Sequence, residues 1–109
     1  MASKTSSEKS FLMTVRWTAI ARRNFNEQID YIAERNLTAA ERLRRDVLRH
    51  TAMLADTPEM GRPGRQANSR ELPIIGTPYV VVYRTRRLYV EIFRLLHGAQ
   101  EWPPPLKKR

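Results

Sequence analysis

At 109 residues with a net charge of +9, the chain holds one domain with a modest core rather than two. Cysteine is absent, which excludes disulfides, thiolate metal sites and cysteine nucleophiles, and no apolar run reaches membrane-spanning length. The charge is uneven: residues 1–61 carry ten Lys/Arg against eight Asp/Glu, and residues 62–109 carry ten against three. A positive field concentrated on the second half favours polyanionic partners, either nucleic acid or an acidic protein segment.

Residues 1–10 are rich in Ser, Lys and Glu without periodicity and read as a disordered leader ahead of a single domain over 11–104. They lack the apolar core of a secretory signal, so a cytoplasmic protein with no membrane partner is expected. Phe11 to Trp17 reads as a first strand. Thr18 stands where an N-cap belongs for a helix over Ala19 to Arg35, with Ala21, Phe25, Ile29 and Ile32 on one apolar face. Asn36, tolerant of the left-handed conformation, is expected to close that helix. Thr38 and Glu41 form a capping-box pattern that would open a second helix, with Ala40, Leu43, Val47 and Leu54 as its inward stripe and Pro58 as its stop. The short link predicts an antiparallel helical hairpin.

Met60 to Gly64 reads as a loop, with Arg62 and then Arg65 close by. Strands are predicted over Ser69 to Ile74, Tyr79 to Arg84 and Leu88 to Leu96, the middle one apolar enough to be covered on both faces. The order β-α-α-β-β-β predicts an α+β fold, two N-terminal antiparallel helices packed on a small antiparallel sheet. Lys107, Lys108 and Arg109 belong to a basic tail over 105–109.

The chemistry legible in the residues is sparse. His50 and His97 have no partners at metal-ligand spacing and there is no glycine-rich phosphate loop, so neither a metal nor a cofactor is expected. His50 lies along the apolar stripe of the second helix and reads as structural. His97 closes the last strand near Arg94, and an imidazole beside a guanidinium has the makings of a phosphodiester-cleaving pair. In a regular strand, however, Leu88, Val90, Ile92, Arg94 and Leu96 share one face, while Tyr89, Glu91, Phe93, Leu95 and His97 share the other. Arg94 and His97 then point apart. Arg70, Arg84 and Arg94 come from three different strands and converge on one face if the register permits. Trp102 is expected as a lid over the helices.

Taken together, the segments R-E-L (70–72), G-T-P-Y-V-V-V-Y-R (76–84), V-E-I (90–92) and L-L-H-G-A-Q-E-W-P (95–103) resemble the RelE/ParE superfamily of type II toxins. V-R-W (15–17) and A-A-E-R (39–42) match as well, and the likeness runs over residues 13–104. It implies a bacterial toxin neutralised by a co-expressed acidic antitoxin. The ending after His97 carries no tyrosine and is more similar to the ParE-like branch, whose members inhibit DNA gyrase by binding and hold a ParD-like antitoxin. DNA would then be reached only indirectly, through the antitoxin. The RelE-like alternative is a ribosome-dependent mRNA endonuclease, for which Arg94 and His97 would be the catalytic pair. In either case Arg62, Arg65, Arg70, Arg84, Arg94, His97 and Trp102 are the expected contacts for antitoxin or target, Arg94 and His97 from the resemblance and the others from their charge and place in the chain.

Overall fold

The computed structural model describes residues 13–98 together with 102 and 103; the proposed leader, the basic tail and the start of the predicted first strand lie outside the described residues. The elements are β1 (Thr14–Trp17), α1 (Ala19–Ala33), α2 (Leu37–Ala52) with a 3₁₀ turn at Met53–Ala55, β2 (Arg62–Pro63), β3 (Arg70–Pro73), β4 (Tyr79–Thr85) and β5 (Tyr89–His97). Two helices pack on one face of a five-stranded sheet whose order is β1-β5-β4-β3-β2.

Local chemistry explains the helices, with one correction. Thr18 caps α1 as expected, its hydroxyl accepting from the Ala21 N–H at 3.1 Å. Asn36 does not end α1 in a left-handed turn; its backbone is extended (φ −156°) and it caps the start of α2, its side-chain oxygen accepting from the Ala39 N–H at 3.0 Å. Thr38 therefore falls inside α2, and the expected Thr38–Glu41 box is not the cap. The physical reason is the brevity of the link, in which the first side-chain oxygen able to reach a free N–H takes the role. The predicted inward stripes hold: Ala21, Phe25, Ile29, Ala40, Leu43, Val47 and Leu54 are all buried in the main core. His50 is buried too, its Nδ1 2.7 Å from the Asp46 carbonyl oxygen, a structural role.

The sheet departs from an all-antiparallel meander in one respect. β1 lies parallel to β5, Thr14 opposite Tyr89 and Trp17 opposite Ile92. β2, β3, β4 and β5 alternate in direction along the sheet, and β1 enters beside β5 after the helical hairpin has separated it from β2 in the chain. The expected loop after Met60 also contributes the two-residue strand β2, which pairs Arg62 with Glu71 and Pro63 with Arg70. β4 is the central strand, and Tyr79 to Tyr83 are buried.

A bulge in β5 decides what the sheet presents. Val82 pairs with Arg94 but the next residue, Tyr83, pairs with Ile92, leaving Phe93 as the extra residue. The alternation inverts at that point. Val90 and Ile92 face the helices, and after the bulge Leu95 does so too, while Phe93 and Leu96 join Val82 and Trp102 in a second cluster. Regular alternation had put Arg94 and Leu96 beside Ile92; the structure puts them on the opposite face, because the extra residue shifts the two-residue alternation by one. Trp102 is likewise not a lid over the helices. It covers the far side of the sheet.

Candidate functional site

The face of the sheet turned away from the helices collects most of the residues singled out from sequence. On β4, Val82 and Arg84 point outward; opposite them on β5 stand Arg94 and Glu91. β3 contributes Glu71, paired across the ladder with Val82 and with Arg62. β1 adds Arg16, opposite Glu91. Arg62, Arg65, Arg84, Arg94 and Trp102 thus share one surface.

Two glutamates organise it. Glu71, only 1% exposed, accepts from the Arg65 backbone N–H at 2.9 Å, from Arg65 Nε at 3.0 Å and Nη2 at 3.1 Å, and from Arg62 Nη2 at 3.4 Å. Burial by itself pushes its carboxyl up, but the hydrogen bonds and charge of Arg65, with Arg62, outweigh it and hold the group below the ordinary carboxylate value. Glu71 therefore stays ionised and ties the Gly61–Gln66 segment to the sheet. Glu91 braces the other end, 3.1 Å from Arg86 Nη2 and 3.8 Å from Arg84 Nε.

The remaining guanidinium faces lie on aromatic rings. Arg16 sits 4.5 Å from the Tyr89 ring centre, Arg84 4.1 Å from that of Phe93, and Arg94 5.3 Å from that of Trp102. Stacking of this kind orders long side chains; Arg94 Nη1 also donates to the Phe93 carbonyl at 2.7 Å, and Arg84 Nε is buried. Sequence reasoning missed Arg16, Glu71, Arg86 and Tyr89 as parts of this surface. Arg16 and Tyr89 meet only through the parallel β1–β5 pairing, which no local pattern announces.

Arg70 and His97 are placed elsewhere. Arg70 pairs with Tyr83 on the helix-facing side, and its Nη1 donates to the Gly61 carbonyl at 2.7 Å. His97 pairs with Tyr79, also on that side, the two rings meeting edge to face at 5.4 Å. The Tyr79 hydroxyl donates to Gln28 Oε1 at 2.8 Å, and burial, with Tyr31 adding, pushes its pKa up, so it stays protonated at neutral pH. Arg94 and His97 thus project from opposite faces of β5.

A second surface lies on the helical layer, where a groove of about 250 Å³ is lined by Trp17, Phe25 and Leu48 with Arg22, Asn26 and Arg44 around them. Trp17 stacks on Phe25 at 5.2 Å, and Leu48, on the outer flank of α2, is 45% exposed. Among the described residues no helix is long and apolar enough to cross a membrane.

Residues 15–102 match the family described as the ParE toxin of the type II toxin–antitoxin system parDE. The chain belongs to the ParE toxin family. Consistent with that, it is 38% identical over 92 residues to the candidate toxin Y4kP of Sinorhizobium fredii, covering 84% of this chain and 95% of that protein. In fold it is similar to a chain of a chromosomal ParDE toxin–antitoxin system from P. aeruginosa, with a TM-score of 0.73 at 19% identity, over 80% of this chain and 97% of the other. The ParE fold thus accounts for the two helices, the mixed sheet and their order.

Proposed function

We propose that this ParE toxin acts in the cytoplasm by binding DNA gyrase and blocking it, and that a cognate, acidic, ParD-like antitoxin neutralises it. The observation that supports binding over cleavage is the division of Arg94 and His97 between opposite faces of β5. A phosphodiester-cleaving pair must reach the same scissile phosphodiester from hydrogen-bond distance, and side chains on opposite sides of a sheet do not. What the outer face offers instead is a set of ordered cations, suited to gripping. The apolar groove between Trp17, Phe25 and Leu48, with Arg22 and Arg44 at its rim, suits one amphipathic helix with acidic flanks, the chemistry expected of the antitoxin.

Supercoiling of relaxed plasmid by purified gyrase tests the reading. Added toxin should abolish supercoiling, and the antitoxin should restore it. Unimpeded supercoiling, together with transcripts cut in stalled ribosomes and spared by His97→Ala, would replace it with the endonuclease reading.

A further inference from the structure

We infer that the arginine face of the sheet binds duplex DNA directly, through its phosphates and without reading bases. This goes beyond gyrase inhibition and revises the expectation that DNA is met only through the antitoxin. The first argument is where the charge sits. α1 and α2 carry six arginines against four acidic residues, a nearly balanced layer. Among the described residues the outer face carries six, Arg16, Arg62, Arg65, Arg84, Arg86 and Arg94, against Glu71 and Glu91. Both glutamates are shared between two arginines, so neither neutralises the surface around it.

The second argument is spacing. The arginines extend from β1 at one edge of the sheet to β2 at the other, four inter-strand steps or about 19 Å. A major groove is about 12 Å wide, so cations spread over that width meet the backbones on both of its sides.

The third argument separates a duplex from a single strand. Single-strand binders offer bare aromatic rings on which bases stack. Here Phe93 and Trp102 are each 8% exposed, and Arg84 and Arg94 lie over them. Tyr89 carries Arg16. The rings serve to hold guanidiniums in place and are not free to receive bases. Contact is therefore electrostatic, and its strength follows counterion release.

Fluorescence anisotropy with the full-length protein and a labelled mixed-sequence duplex provides the test, read as the slope of log affinity against log salt. Four uncompensated cations predict a slope of about −3.6 or steeper, equal to a loss of at least about 150-fold between about 50 and 200 mM salt. The triple variant Arg16→Gln/Arg86→Gln/Arg94→Gln should flatten the slope by about 2 to 3. The control Arg23→Gln/Arg42→Gln/Arg49→Gln removes the same charge from the helices and should leave the slope nearly unchanged. Circular dichroism verifies folding; if the sheet triple unfolds, Arg16→Gln alone, at an exposed position, should flatten the slope by about 0.9. Equal flattening by both triples would overturn the proposal. So would tighter binding to the single strand than to its duplex, or capture of poly-glutamate with no affinity for DNA. The probe is DNA alone, so failure here is distinct from failure of gyrase inhibition.

Discussion

Replacing Glu71 by Gln is the most informative single perturbation of the outer face. The carboxylate accepts four hydrogen bonds, three from Arg65 and one from Arg62, in a position 1% exposed. Gln keeps one acceptor oxygen but turns an NH₂ group toward guanidinium donors and removes the charge. Losing two charge-assisted bonds costs roughly 1.5–3 kcal/mol each at full value. Arg62 and Arg65 are 57% and 46% exposed in their side chains and regain water, which offsets part of the loss. The net expectation is about 2–3 kcal/mol, or a Tm lower by roughly 10–20 °C for a domain of this size. Acid titration supplies the sign. The folded-state pKa of Glu71 lies below the ordinary value of 4.5, so its contribution is complete above 4.5 and is lost as pH falls through the depressed value. The variant should therefore lose less stability than the parent between neutral pH and pH values well below 4.5. Thermal and urea denaturation followed by circular dichroism measure both effects. A loss under about 0.5 kcal/mol at neutral pH, or acid profiles of identical shape, would refute the reasoning that Glu71 anchors this surface as a buried anion.

Two further outcomes follow from local geometry. Asn36→Ala should destabilise by about 1 kcal/mol and Thr38→Ala by well under half of that, because Asn36 alone caps α2; urea midpoints of the two variants decide it. Tyr83→Phe should cost about 1–2 kcal/mol in the same assay, since the buried hydroxyl accepts from the Gly61 N–H at 2.8 Å and donates to the Pro58 carbonyl at 2.7 Å, and both would be orphaned.

Much of this could be read along the chain, and what could not has a common cause. The helices, their buried stripes, the central strand and the family likeness depend on neighbours a few residues apart, which periodicity and caps report directly. Arg62, Arg65, Arg84 and Arg94 were legible as candidates by charge. Their company was not. Glu71 looked like one more strand carboxylate until β2 folded Arg62 across from it. Arg16 and Tyr89, separated by most of the domain, meet only because β1 lies parallel to β5.

The sequence by itself determined the layers, the charge asymmetry and the absence of thiol chemistry, because composition and short-range patterns carry these without reference to distant residues. Only the tertiary structure decided which face each side chain occupies. One bulged residue, Phe93, inverts the alternation of β5, sends Arg94 outward and leaves His97 with Tyr79 on the helix side. A strand's pattern repeats every two residues, so a single insertion reassigns everything after it, and the packing of the whole core determines whether that insertion occurs.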